Sequence, residues 1–94
     1  MRLEKEIRDK IKERLRGKVD VQLGKGGLTE GFINEVKSRL EKHRVVKVKI
    51  LKSFLRASGL GVDDVANKVA EILQARVVDV RGHTFVLVKG RQRL

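Results

Sequence analysis

The sequence predicts an α/β fold with the element order α-β-α-β-α-β-β, in which a four-stranded mixed sheet carries its helices on one face. Three segments repeat apolar residues every three to four positions, as amphipathic helices do, and four shorter segments alternate or run apolar, as strands do. The length of 94 residues suits one domain that covers residues 1–94. These spacings place each element as follows.

The first helix is predicted over residues 2–16. Its apolar residues share a spacing of four and therefore one face: Leu3, Ile7, Ile11 and Leu15. Gly17 ends this pattern. A strand is predicted next, over residues 19–23, where three apolar residues alternate with Asp20 and Gln22.

The second helix is predicted over residues 30–42, with Thr29 as its N-cap. Its inward face consists of Phe32, Ile33, Val36 and Leu40. A strand over residues 45–51 follows, because Lys47 and Lys49 alternate with apolar residues there. The two lysines are therefore expected on the solvated side of this strand.

The spacing leaves the structure of residues 52–61 open. A third helix is predicted over residues 64–74, and Asp63 can cap it. The residues expected to point inward from this helix are Val65, Val69, Ile72 and Leu73.

The last two strands are predicted over residues 76–81 and 84–89, with Gly82 and His83 between them. Glycine at the first central position fits a type II′ hairpin turn. Each β-α-β step should join parallel strands, whereas the final hairpin is antiparallel, so the sheet is mixed. Because the first three strands keep polar residues at alternate positions, we expect helices on one face and solvated charges on the other.

The charge of the chain favours a polyanionic partner. There are 23 Lys and Arg residues against 12 Asp and Glu residues, which gives a net charge of +11. Such an excess makes nucleic acid the foremost candidate and an anionic membrane the second. Residues 37–56 hold eight basic residues and one acidic residue, a net charge of +7, so we expect one concentrated basic patch.

Several classes of protein are disfavoured. The chain has no Cys, which rules out disulfides and thiolate metal sites and fits a reducing, cytoplasmic location. No apolar run approaches the roughly 20 residues of a membrane span, so no membrane-spanning segment is expected. Nucleic acid is preferred to a membrane as the partner. Neither His43 nor His83 has a second ligand at a metal-binding spacing, and no Ser-His-acid set is evident. No metal, cofactor, small-molecule substrate or enzymatic activity is predicted.

A glycine-rich loop, Gly24-Lys25-Gly26-Gly27, lies between the first strand and the second helix. Glycines let backbone N–H groups approach a ligand closely, the helix that follows adds a positive dipole end, and Lys25 adds a cation. KH domains clamp nucleic-acid backbones with a similar G-x-x-G loop. A plain strand-to-helix turn is the alternative explanation of the same spacing.

Longer stretches resemble one known family. Residues 23–31 (LGKGGLTEG), residues 40–49 (LEKHRVVKVK) and, more weakly, residues 77–82 (VVDVRG) are similar to motifs of the CRM domain, named for chloroplast RNA splicing and ribosome maturation. The resemblance runs from about Val19 to Lys89. It implies a fold related to the C-terminal domain of translation initiation factor three, and RNA binding through the glycine loop and nearby basic residues. It also implies a role like that of single-domain bacterial members, which associate with precursors of the large ribosomal subunit, or of plant members, which assist intron splicing.

We therefore predict a monomeric RNA-binding protein that assists large-subunit assembly or structured-RNA maturation, with ribosomal RNA or a pre-ribosomal particle as its partner. The predicted RNA contacts are Gly24, Lys25, Gly26, Gly27, Thr29, Arg39, Lys42, Arg44, Lys47 and Lys49. Two alternatives stay open: an architectural DNA-binding protein and a module that docks on an acidic protein. Some of these cations have other possible roles, since Lys47 and Lys49 can solvate a strand and Arg39, Lys42 and Arg44 can complement a helix end.

Aromatic residues are scarce. The chain has three Phe residues and neither Trp nor Tyr. Base stacking on an aromatic platform is therefore not expected, and His83 is interpreted as a turn residue only. Binding should depend on the phosphate backbone and the shape of the RNA.

Overall fold

The computed structural model describes residues 5–24 and 26–90. These residues contain four strands and four helices. In chain order the elements are α1 (Lys5–Leu15), β1 (Val21–Leu23), α2 (Glu30–His43), β2 (Val45–Ile50), α3 (Lys52–Ser58), α4 (Val62–Leu73), β3 (Arg76–Arg81) and β4 (Thr84–Val88). All predicted helices and strands are present. The short helix α3 is additional and fills most of the connection that the spacing left open.

The strands form one sheet in the order β1-β2-β4-β3. β1 and β2 are parallel, and β4 runs antiparallel to both of its neighbours, β2 and β3. Leu23, Ile50 and the β3–β4 turn therefore lie at the same edge of the sheet, which we call the carboxyl edge. Val45, Arg76 and Val88 lie at the opposite edge, which we call the amino edge.

One face of the sheet carries the larger core, beneath α2, α3 and α4. This core consists of alternate strand residues and the inward faces of the helices. Its most deeply buried large side chains are Leu23, Val36, Val46, Val48, Ile50, Val65, Val69, Phe85 and Leu87. The predicted mixed α/β class is confirmed, and so is the helical layer on one face for α2 and α4, which the additional helix α3 joins.

α1 departs from that prediction, because it packs against the other face of the sheet. Ile7 is buried there in a second, smaller cluster with Val45, Val86 and Val88, and Ile11 packs against this cluster. The sequence of β4 explains why α1 packs on this face. β4 is apolar at four consecutive positions, so that both of its faces need cover. The predicted start of α1, including Leu3, lies outside the described residues.

A buried ionic network fixes α1 to the sheet. The guanidinium of Arg14 donates from Nε and Nη2 to the two carboxylate oxygens of Asp20, at 2.9 and 3.1 Å. Asp20 also accepts from the backbone N–H of Lys47 at 2.8 Å, and Lys47 Nζ donates to the carbonyl of Arg14 at 2.8 Å. Asp20 and Lys47 were expected on a solvated face, and this expectation is wrong for both. A second tie joins Lys10 Nζ to the carbonyl of His43 at 3.0 Å.

The strand ends differ slightly from prediction. β1 begins at Val21, two residues later than predicted, and Val19, which was expected to share a face with Val21 and Leu23, is 41% exposed. β2 ends at Ile50 and β4 at Val88, each one residue earlier than the spacing indicated. Gly82 has a φ of +58°, as the first central residue of a type II′ turn requires.

α4 begins two residues earlier than predicted, with Gly61 and not Asp63 as its N-cap. The carboxylate that serves this end is that of Asp64, which accepts from the N–H of Gly61 at 3.0 Å. Ile72 was expected to point inward but is 51% exposed. Successive helical residues point about 100° apart, and Leu73 takes the inward position.

Candidate nucleic-acid interface

The glycine-rich loop forms a tight turn at the carboxyl edge, between β1 and α2. The N–H of Gly27 donates to the carbonyl of Gly24 at 3.0 Å, and the N–H of Thr29 donates to the carbonyl of Gly27 at 2.9 Å. Gly26 and Thr29 are exposed. Lys25, the predicted cation of this loop, lies outside the described residues. The turn is thus open to solvent on its outer side.

The inner side of the turn packs on the segment that follows β2. Gly27 has a φ of +74°, and a Cβ there would lie 3.0 Å from Cε1 of Phe54. A Cβ on Gly24 would lie 3.3 Å from Cδ1 of Leu51, whose N–H donates to the carbonyl of Leu23 at 2.9 Å. The close contact with Phe54 and the left-handed backbone therefore explain why position 27 requires glycine. Gly26 has no such constraint, and its lack of a side chain leaves the backbone there accessible.

The amino terminus of α2 adjoins this turn. Thr29 is its N-cap, as predicted, and its hydroxyl oxygen accepts from the N–H of Phe32 at 3.0 Å. The positive end of the dipole of a 14-residue helix consequently lies beside the glycine turn. Glu30 in the first turn of α2 offsets part of this positive potential.

Exposed polar residues form a row across the sheet at the same edge. Lys49 on β2 pairs with Gln22 on β1 and with Thr84 on β4, which in turn pairs with Arg81 on β3. Directly paired residues project to the same face of a sheet. This face is the one that α1 covers, but α1 does not extend over this row, since Gln22, Lys49 and Arg81 are exposed. We call these four residues the outer row. Lys52, at the start of α3, is exposed at the same edge.

Three of the predicted contacts lie at the other end of the molecule. Arg39, Lys42 and Arg44 belong to the last turns and the C-cap of α2, next to the amino edge. β2 separates the two edges by roughly 17 Å, at about 3.3 Å per residue. Arg39 pairs with Glu35 at 3.4 Å, and the N–H of Arg44 donates to the carbonyl of Leu40 at 2.8 Å. The predicted single patch over residues 37–56 is therefore wrong.

The structure divides the predicted contacts into separate groups. Those that it brings together at the carboxyl edge are Gly24, Gly26, Gly27, Thr29 and Lys49. Lys47, also predicted as an RNA contact, is 8% exposed and its Nζ donates to the carbonyl of Arg14 beneath α1, so the structure places it apart from this surface. Lys52 and Arg81 are cations of this edge that the predicted site did not include. Lys52 lies two residues after the last residue of β2. Because parallel strands end at the same edge, this position is the signal that could have identified it.

The described residues contain no group of three His, Asp or Glu side chains that could hold a metal ion. Within the same residues, no helix has both the length and the apolar character needed to cross a bilayer. The groups present at the carboxyl edge include glycine backbone, lysine and arginine cations, and the side chains of Gln22, Thr29 and Thr84.

The model of the CRS1/YhbY (CRM) domain family matches residues 3–89, nearly the whole chain. The chain belongs to the CRM domain family. A Haemophilus influenzae protein described as an RNA-binding protein is 32% identical to this CRM domain over 69 residues, which are 73% of the chain. The chain spans 66% of that protein, slightly under two thirds of its length.

A solved Staphylococcus aureus structure, described as that of a candidate RNA-binding protein, shares the fold of this CRM domain. The TM-score is 0.62 at 21% sequence identity, and the match covers 97% of this chain and 93% of the other. The family that residues 23–31 and 40–49 indicated is therefore confirmed, as is the mixed α/β class.

Proposed function

We propose that this CRM domain binds RNA at its carboxyl edge, where the glycine turn and the cations Lys49, Lys52 and Arg81 hold the phosphate backbone. The observation that carries this proposal is the exposed glycine turn at the same sheet edge as three exposed cations. Bare backbone can approach a phosphate closely, and cations provide most of the sequence-independent affinity for nucleic acids. The relatives described as RNA-binding proteins support RNA as the ligand.

The directions of the helices favour an anion at this edge. α2 starts beside the glycine turn, and α4 leads into β3 at the amino edge, so both long helices point their positive ends towards the carboxyl edge. Acidic residues in the first turns, such as Glu30 and Asp64, weaken this contribution. The lysine and arginine side chains therefore supply most of the positive potential that RNA would meet.

Salt dependence tests the phosphate contacts. RNA affinity, measured by fluorescence anisotropy, should fall with a log–log slope of roughly −2 to −4, as expected for three to five neutralised phosphates. The Lys49→Gln/Lys52→Gln variant should bind more weakly and show a slope shallower by about 1.5. A matched control, Lys12→Gln/Lys68→Gln, removes two exposed charges on α1 and α4. Equal losses in the two double variants, or a flat salt response, would contradict the proposed surface.

Competition between nucleic acids tests the class of ligand. Structured RNA should displace a bound RNA probe more effectively than duplex DNA of the same length. The reverse order would favour the architectural DNA-binding alternative. The docking-module alternative would be favoured if the chain binds no RNA and its binding to an acidic protein persists after nuclease treatment.

We also propose that the RNA is ribosomal, from a precursor of the large subunit, and that the domain acts as a cytoplasmic monomer. The support is the similarity of residues 23–31 and 40–49 to single-domain bacterial CRM proteins. Crosslinking in cells, followed by sequencing of the attached RNA, should enrich large-subunit ribosomal RNA. Enrichment of other RNAs would overturn this part and leave RNA binding itself intact.

A further inference from the structure

A depression beside the glycine turn contains two cations of the proposed surface, Lys49 and Lys52, together with residues that have no role so far. It has a volume of about 430 Å³ and lies at the carboxyl edge, between the end of β2 and the β3–β4 turn. The residues that line it are Lys49, Ile50, Leu51, Lys52, Ser53 and His83. Its volume falls within the range of roughly 300–1,000 Å³ that pockets for small organic ligands span. Two cations, a hydroxyl, an apolar floor and an imidazole thus meet at one place.

The backbone holds His83 in position at the wall of this depression. Its carbonyl accepts from the N–H of Ile50 at 2.7 Å, which ties the β3–β4 turn to the end of β2. The turn is tight, because Gly82 adopts a φ of +58° and the hydroxyl of Thr84 donates to the carbonyl of Arg81 at 2.8 Å. The backbone of His83 is therefore fixed in a short, hydrogen-bonded hairpin, so binding would remove little backbone freedom there.

His83 differs from the phenylalanines in its exposure. Phe32 and Phe85 are buried, and Phe54 packs on Gly27 beneath the glycine turn. His83 is exposed. Histidine is among the side chains on which unpaired bases stack in RNA-binding proteins. His83, which the sequence indicated as a turn residue only, therefore lies where its ring can contact a base.

The charges around the depression suit a nucleotide. None of its lining residues is acidic, and Lys49 and Lys52 provide the cations for a phosphate. Asp79, on β3, has its carboxylate 3.9 Å from the guanidinium of Arg81, so its charge is partly balanced. The glycine turn follows β1 and the depression adjoins β2 and β4, so one or two strand spacings, roughly 5–10 Å, separate them. Neighbouring nucleotides of one extended strand can span this distance.

We propose that this depression binds one unpaired nucleotide of the RNA, with its base stacked on the imidazole of His83 and its phosphate held by Lys49 and Lys52. The proposal rests on RNA binding at the carboxyl edge and adds a preference: the domain recognises RNA that presents an unpaired residue, as a loop or bulge does. Base pairing would hide the face of the base that stacks on His83. A fully paired helix therefore leaves the depression empty.

Two substitutions of His83 separate stacking from other effects. With a hairpin RNA that carries an unpaired loop, His83→Ala should weaken binding about tenfold, the loss expected for one base–ring stack. His83→Phe should restore affinity to within about twofold of the unsubstituted protein, because phenylalanine keeps the ring and loses only the ring nitrogens.

A fully paired duplex RNA is the matched ligand, and Asn67→Ala, an exposed change on α4, is the matched variant. The His83 variants should bind the duplex RNA as tightly as the unsubstituted protein does. Asn67→Ala should bind the loop RNA with unchanged affinity. Circular dichroism should confirm that all variants are folded. Equal losses on duplex and loop RNA, unchanged loop binding in His83→Ala, or no recovery in His83→Phe would each overturn the nucleotide site. If the unsubstituted domain binds neither RNA, the proposed function itself fails. If it binds but His83 has no effect, only this site fails.

Discussion

Lys47 and Lys49 lie two residues apart on β2 and project to the same face of the sheet, yet one is buried and the other is exposed. Lys47 lies with Asp20 beneath α1, in what we call the inner row, and both side chains are held by hydrogen bonds. Lys49 lies in the outer row, beyond the cover of α1. One sheet face thus contains a structural region and a candidate binding region, and the position of α1 sets the boundary between them.

The difference between the rows shows how burial changes the role of the same residue type. A buried charge loses its hydration and must be paired, so the inner row stabilises the position of α1 only while all of its partners are present. An exposed lysine keeps its hydration, costs the fold little, and can exchange counterions for phosphates. Stability and RNA binding should therefore respond separately to substitutions in the two rows.

The largest effect is expected from removing the carboxylate of the inner row. Asp20→Ala leaves the buried guanidinium of Arg14 without its bidentate partner and the N–H of Lys47 without its acceptor. Arg14 Nη1 keeps its bond to the carboxylate of Glu13 at 2.8 Å, so the free energy of unfolding, measured by urea titration, should fall by about 3 kcal/mol, the lower end of the range for a broken buried pair. Asp9→Ala, an exposed change on α1, should alter it by no more than about 0.5 kcal/mol. A loss below about 1 kcal/mol in Asp20→Ala would mean that the network does not fix α1.

An intermediate effect should distinguish the two lysines directly. Lys47→Met removes a charged hydrogen bond to the carbonyl of Arg14 and should lower the free energy of unfolding by about 1.5–3 kcal/mol. Lys49→Met should change it by no more than about 0.5 kcal/mol. The effects on RNA affinity should have the opposite order. Lys49→Met should weaken binding by up to about fivefold, whereas Lys47→Met, measured under conditions where it is folded, should bind RNA as the unsubstituted protein does. The net charge of the two variants is the same, so a general charge effect would reduce both affinities equally.

Much of the fold could be predicted because periodicity and caps are local. The spacing of apolar residues located the helices and strands, Thr29 identified the start of α2, and Gly82 identified the hairpin. The side of the sheet that α1 covers was not predicted, since it depends on packing between distant segments. A signal for it existed in the consecutive apolar residues at Val45 and Val46 and in the run through β4, which need cover on both faces.

The candidate site was predicted only in part, for a topological reason. The glycine loop was recognised from its own residues, and the structure places it at an exposed turn. The contiguity of the basic residues in sequence predicts one patch. α2 and β2 run in opposite directions, however, so Lys42 near the end of α2 and Lys49 near the end of β2 lie at opposite edges. Continuity along the chain therefore does not imply one surface where a helix is followed by a strand.

The smallest effect should come from the cations of the amino edge. The C-terminal end of α2, which is the negative end of its dipole, lies there, and Lys42 in the last turn complements this negative potential. Arg39→Gln/Lys42→Gln should therefore lower the free energy of unfolding by at most about 1 kcal/mol, through the lost dipole interaction and the exposed pair with Glu35. RNA affinity should change by less than about twofold, well below the loss in Lys49→Gln/Lys52→Gln, which removes the same charge at the carboxyl edge. Equal affinity losses in these two double variants would show that RNA contacts both edges, and the division of the basic segment into a binding and a helix-stabilising part would then be wrong.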